Sequence, residues 1–177
     1  MGKYLPLFGD RKYQIASQFV ESVEQDSFWG HSFKHWNKTS EWIKEYFESH
    51  TNKYHGVFVG MDDIAVKKFL AVLLAKNWRT FAEEAARQRG FRFSIYMDIK
   101  TVQKTVSDTG IPETKIILYN RKLEKLPVKR LIFICERASN PVGIRLYSVY
   151  PDSGEPSYEE RMAEKRAFRE AWDRFVK

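Results

Sequence analysis

The chain has 177 residues, a length that fits one domain, residues 1–177, with its own core and is short for two. Apolar residues make up 43% and aromatics 15%, spread along the whole length, which excludes a disordered chain. Thirty Lys and Arg against 23 Asp and Glu leave a net charge of +7, an excess that favours a polyanionic partner, either nucleic acid or an acidic protein. No apolar stretch approaches the ~20 residues needed to cross a bilayer, and Met1-Gly2-Lys3-Tyr4-Leu5-Pro6 has no apolar core for a secretory signal. The expected location is therefore cytoplasmic, with no membrane partner. One cysteine, Cys135, lies inside the apolar run Leu131 to Cys135 and reads as a small buried hydrophobe.

The first half reads helical. Ile15, Phe19, Val20 and Val23 share one face of a helix from about Arg11 to Gln25, and Trp42, Ile43, Tyr46 and Phe47 do so from about Ser40 to His50. Tyr54 to Gly60 is a short strand. Asp62 or Asp63 then caps a third helix, whose stripe is Val66, Phe69, Leu70, Leu73 and Leu74. Thr80 with Glu83 forms a capping-box pattern for a fourth helix, and Gly90 is placed to end it.

After Gly90 the period changes to two. Phe91, Phe93, Ile95, Met97 and Ile99 alternate with Arg92, Ser94, Tyr96, Asp98 and Lys100, the pattern of a half-buried strand. Thr101 to Asp108 reads either as a helical turn or as an extended edge. Three more strands follow, Lys115 to Asn120, Arg130 to Glu136 and Ile144 to Tyr150, joined by links too short for a crossover helix, so an antiparallel meander is expected. Ser157 and Glu160 mark the start of a last helix. Its apolar face, Tyr158, Met162, Phe168, Trp172 and Val176, should pack on the sheet or on a partner. The fold class is α+β: N-terminal helices, a mainly antiparallel sheet of four to five strands in the second half, and a C-terminal helix.

Four histidines, His31, His35, His50 and His55, fall in the first third of the chain. His31 and His35 are spaced i, i+4, which on a helix lets two imidazoles share a metal, but no third ligand is marked. Asp98-Ile99-Lys100 has the D-x-K spacing of a metal-dependent nuclease half-site, without its partner carboxylate nearby. Neither pattern is taken as a metal site, and no cofactor is expected. An imidazole titrating near neutrality can instead take the proton of an RNA 2′-hydroxyl or give one to the leaving oxygen, while Arg stabilises the charge on phosphorus. His35 or His55 with Arg145 could work in this way. Arg145 and Tyr147 project from one face of the last strand and Tyr150 ends it, so Arg for phosphate and Tyr for base stacking make a workable RNA surface.

Helices followed by an antiparallel meander with Arg and Tyr on its last strand, together with the Gly30-His31-Ser32-Phe33-Lys34-His35 segment, resembles the small endoribonuclease toxins of the barnase, EndoU, colicin and RelE group. The resemblance implies metal-independent RNA cleavage by histidine, arginine and tyrosine. On this basis His35, His55, Arg145 and Tyr150 are the expected catalytic residues, and His31, Arg121, Arg137 and Tyr147 the expected nucleic-acid contacts. A second reading is a non-enzymatic phage or mobile-element protein that binds and inhibits a host or defence protein. The aromatic content, with Trp29, Trp36 and Trp42 around the histidines, would supply an interface hot spot.

Overall fold

The computed structural model describes residues 11–23, 35–59, 62–109, 115–140, 142–154 and 158–176. In chain order the elements are α1 (Arg11–Glu21), α2 (Ser40–Ser49), β1 (Tyr54–Val59), α3 (Asp63–Lys76), α4 (Trp78–Arg87) and β2 (Arg92–Asp98). They continue with α5 (Ile99–Thr109), β3 (Lys115–Asn120), β4 (Lys125–Leu126), β5 (Arg130–Arg137), β6 (Ile144–Asp152) and α6 (Tyr158–Val176). The class is α+β, with helices at both ends and every named strand pairing antiparallel.

The third helix is the centre of the core. Its predicted stripe is buried, and so are Ala71 and Val72 between those residues, as befits a helix with neighbours on several sides. Asp62 caps it, its carboxylate accepting from the Ala65 amide at 2.8 Å. Against α3 lies α1, through Ala16, Phe19 and Val20, and Lys67 of α3 reaches Glu21 of α1 at 3.5 Å. The expected Thr80–Glu83 box does not form, because α4 starts earlier. Asn77 closes α3 by donating its amide to Leu74 O, and its own carbonyl opens α4 by accepting from Phe81 N. Thr80 thus lies inside α4, and Glu83 pairs with Arg79 at 3.1 Å. Gly90 does not end α4, which stops at Arg87 with Gln88 as an extended C-cap; it takes the left-handed conformation, φ +91°, in the turn that leads into β2. The ambiguous stretch from Thr101 to Asp108 is helical, within α5.

The strands divide into two three-stranded sheets, ordered β2-β5-β6 and β1-β3-β4, rather than one continuous sheet. β5 and β6 pair as expected, but β3 joins β1 instead of β5. The cause is local. Asn120 Oδ1 accepts from the amides of Lys122 and Glu124, both at 2.9 Å, and Leu123 adopts φ +61°. This folds the link back into the β3–β4 hairpin before the chain crosses to β5. Outside the named strands, residues 35 to 37 run parallel to β1: Phe58 N donates to His35 O at 2.8 Å and Asn37 N donates to Phe58 O at 2.7 Å.

One face of the β2-β5-β6 sheet is core. Phe93, Ile95, Met97, Leu131, Phe133, Cys135, Ile144, Leu146 and Val149 join the helices there, while Ile43, Tyr46, Phe47 and Val57 form a smaller cluster under β1. Burial raises the Cys135 thiol pKa far above its ordinary value, so it stays protonated and inert. The second half of α6 does not cover either sheet: Phe168, Trp172, Phe175 and Val176 are 72%, 56%, 83% and 63% exposed. Among the described residues no helix is long and apolar enough to cross a membrane.

The two sheets meet where β1 crosses β6. A Cβ at Gly56 would stand 2.1 Å from the carbonyl oxygen of Pro151, a backbone atom that cannot swing away. Gly56→Ala should therefore push the sheets apart and cost on the order of 2–3 kcal/mol, lowering the thermal midpoint by about 5 °C or more. An unchanged midpoint would show that the strands do not approach this closely. Cys135 should resist a thiol reagent at pH 8 in the native protein and react fully in denaturant; native labelling at the rate of a free thiol would contradict its burial.

Candidate functional site

The crossing of β1 over β6 assembles a column of aromatic rings from four segments. Tyr150 of β6 stacks on His35 at 4.6 Å between centroids, and His35 stacks on His55 of β1 at 4.5 Å. His55 meets Tyr46 of α2 at 4.2 Å, and Tyr46 stacks on His50 at 4.0 Å. Trp42 flanks the column, 5.8 Å from His55 and 5.4 Å from Tyr46. His35 and His55 are almost wholly buried, 5% and 2% exposed. Tyr46 is desolvated, which raises its pKa above the ordinary phenol value and keeps its hydroxyl protonated.

His35 has a defined tautomer. Its Nδ1 lies 2.7 Å from the Gly56 carbonyl oxygen, an atom that can only accept, so Nδ1 carries the proton. In the neutral ring Nε2 then holds the lone pair. The glycine that permits the β1–β6 crossing thus also orients the histidine.

A cavity of about 560 Å³ opens at this crossing. Its lining includes His35, His55, Gly56 and Leu118, all buried, and Tyr147, Tyr150, Ser94 and Arg92 from the β2-β5-β6 sheet. The volume lies within the range of small-ligand sites. His35 and His55, some ninety residues and more before Tyr147 and Tyr150, therefore line one cavity with them. Tyr147 has its position from a local irregularity. The register shifts between Ile134 and Cys135, so β6 carries one extra residue there, between Leu146 and Ser148.

The arginines are sorted differently from the expectation. Arg145 is absent from the cavity lining, and its guanidinium donates to Glu136 Oε1 at 2.6 Å. Arg121 donates to the carbonyls of Phe47, His50 and Asn52, at 2.7, 2.7 and 3.1 Å, and so closes the end of α2. Arg137 donates to Ala85 O and Gln88 O and closes the end of α4. Arg92, which was not among the expected site residues, lines the cavity. Its guanidinium lies 4.0 Å from the Tyr147 ring centre and donates to Glu136 Oε2 at 3.3 Å. Glu136, 3% exposed, thus anchors two arginines from the strands on either side of it. The period-two pattern placed Arg92 on the polar face of β2, but only the pairing of β2 with β5 brings it to Glu136.

His31 lies outside the described residues, and so does its part in any histidine pair. Asp98 turns the chain from β2 into α5, accepting from the Lys100 amide at 2.9 Å. Among the described residues no group of three His, Cys, Asp or Glu side chains is gathered as a metal cluster.

No protein-family model and no curated protein sequence matches the chain. Among solved structures, one chain of the crystal structure of a CdiA-CT/CdiI complex from Y. kristensenii 33638 is similar, with 17% sequence identity and a TM-score of 0.49. The similarity covers 70% of this chain and 99% of that one. At that level the likeness identifies neither a family nor an activity.

The bonds of Arg121 give it an architectural role that can be separated from binding. Arg121→Ala should lower stability by about 1–3 kcal/mol through the unpaired carbonyls at the end of α2, measured by urea unfolding. Its affinity for any ligand of the cavity should stay within about twofold of the parent once folded. A loss of affinity without a loss of stability would return Arg121 to the site.

Proposed function

We propose that the protein binds RNA in the cavity at the β1–β6 crossing and cleaves it without a metal ion. The observation that carries this reading is the meeting of His35, His55, Tyr147, Tyr150 and Arg92 around one cavity of nucleotide size. Each has a counterpart in the chemistry. A base stacks on Tyr147 or Tyr150, and the guanidinium of Arg92 faces the phosphate. With Tyr150 turned off the ring to uncover the buried Nε2 of His35, that nitrogen accepts the 2′-hydroxyl proton as the 2′-oxygen attacks phosphorus. The P–O5′ bond then breaks, and the departing 5′-oxygen takes a proton from a second acid, for which His55 is the neighbouring candidate. The products are a 2′,3′-cyclic phosphate and a 5′-hydroxyl, with no net redox change. Arg145 steadies Glu136 in this scheme, and Arg92 takes the phosphate role expected of it.

A second reading, a non-enzymatic protein that binds another protein, is favoured by one observation. Phe168, Trp172 and Phe175 stand exposed on one helix, with Trp172 and Phe175 in ring contact at 6.2 Å. Aromatic side chains of this kind are common anchors at protein interfaces.

The deciding assay follows total RNA and a labelled oligoribonucleotide with and without EDTA. Wild type should cleave in both conditions and leave cyclic phosphate ends. His35→Ala should slow cleavage by roughly 10²–10⁴-fold, as loss of a general base does. Because His35 is buried, His35→Gln with a melting curve separates lost chemistry from lost folding. Arg92→Ala, a change at a half-exposed side chain, should reduce cleavage at least tenfold while the protein stays folded. Undetectable cleavage by wild type, or full activity in a folded His35→Gln protein, would overturn the assignment.

A further inference from the structure

Tyr150 is also one end of a row of side chains that runs beyond the cavity lining. On the outward face of the β2-β5-β6 sheet, Tyr96 pairs across to Ile132, and Ile132 pairs across to Tyr150. The three side chains therefore form one row, and Tyr96 stands two strand spacings, about 10 Å, from Tyr150. Tyr96 is 44% exposed on the edge strand. Behind it the Arg130 guanidinium lies 4.1 Å from the ring centre. Arg130 Nε also donates to Asp152 Oδ2 at 2.7 Å, and Asp152 lines the cavity. A continuous path of contacts, Tyr96 to Arg130 to Asp152, thus runs from the sheet edge to the cavity wall.

This arrangement repeats the one at the cavity itself, where Arg92 stacks on Tyr147 and is held by Glu136. In both places an arginine is fixed by a carboxylate and presented against a tyrosine ring. Glu136 is shared by two arginines, so charge remains at half-exposed Arg92 for a phosphate, whereas Asp152 offsets the charge of Arg130 and leaves the Tyr96 pair a flat, rigid, polarised surface. Such a surface suits a nucleobase, because every base has a π-face and stacking tolerates sequence. A paired base in a helix keeps that face covered by its neighbours, whereas a single strand can present it.

We infer that Tyr96, backed by Arg130, is a second base-stacking position, and that the ligand is single-stranded RNA at least two nucleotides long. One nucleotide sits in the cavity and its neighbour crosses the sheet face to Tyr96. This inference rests on the reading of the cavity as an RNA site.

The test uses the full chain and non-cleavable 2′-O-methyl oligonucleotides of mixed sequence, one and four nucleotides long, with binding followed by competition against a labelled tetranucleotide. Tyr96→Ala should weaken the tetranucleotide roughly five- to a hundredfold and leave the mononucleotide within twofold. Tyr96→Phe should retain tetranucleotide affinity, since the ring and not the hydroxyl is the platform. A tetranucleotide that binds Tyr96→Ala as tightly as wild type overturns the second position and leaves the cavity reading standing. Wild type that binds neither length overturns both. Equal weakening of both lengths in Tyr96→Ala also overturns the inference, because it marks damage to the cavity rather than loss of a neighbouring subsite.

Discussion

Nearly everything about the candidate site depends on how closely β1 passes β6. Two backbones can approach to the point where a Cβ would overlap a carbonyl oxygen only if one of them is glycine, and Gly56 is that residue opposite Pro151. The contact brings His55 of β1 beneath the segment that carries His35 and brings Tyr150 of β6 over it. The Gly56 carbonyl then receives the His35 Nδ1 proton. Packing, tautomer and cavity are thus set by one crossing. A larger residue at position 56 would separate the sheets, break the ring column and remove the acceptor from its place, three effects with one origin.

The basic character of the chain looks different once the arginines are placed. Arg121 and Arg137 close helix ends by donating to backbone carbonyls, and Arg145 is paired with a buried carboxylate. These guanidiniums stabilise the fold through hydrogen bonds that lysine, with its point charge and no planar fork, would make less well. Of the arginines considered, Arg92 alone combines a place on the cavity wall with a half-exposed side chain. Net charge therefore speaks for the encounter with a polyanion, and the local geometry of one arginine speaks for the site.

Much of the fold was legible because its signals are local. The stripe of α3, the Asp62 cap and the alternation of β2 each depend on a handful of neighbouring residues, and each appears in the structure. The pairing of β3 was not legible. A short link between two strands usually implies a hairpin between them, but Asn120 and Leu123 build a separate turn that redirects β3 toward β1. The start of α4 was misplaced for a related reason: one residue, Asn77, ends a helix and begins the next, which leaves no room for a loop with its own capping box. The site was half legible. His35, His55, Tyr147 and Tyr150, singled out in the sequence, all line the candidate cavity, whereas Arg121, Arg137 and Arg145 do not. Which arginine faces the cavity, however, depends on a buried glutamate shared across three strands, and that is a property of pairing register rather than of any window of sequence.

The burial of His35 and His55 can be read in two ways, and the chemistry of the ring separates them. A column of stacked rings inside a protein needs only flat apolar side chains, and phenylalanine would supply them without the cost of burying ring nitrogens. At position 35 the imidazole is compensated by its bond to Gly56 O, so a structural role accounts for Nδ1. It does not account for the cavity beside the same ring, lined also by Tyr54, Tyr147 and an arginine paired with Glu136. Both rings are nearly covered, yet the open space beside them, which gains no packing energy, is left unfilled. Rigid rings around an open pocket, with one imidazole locked in a single tautomer, are the arrangement that a preorganised base requires.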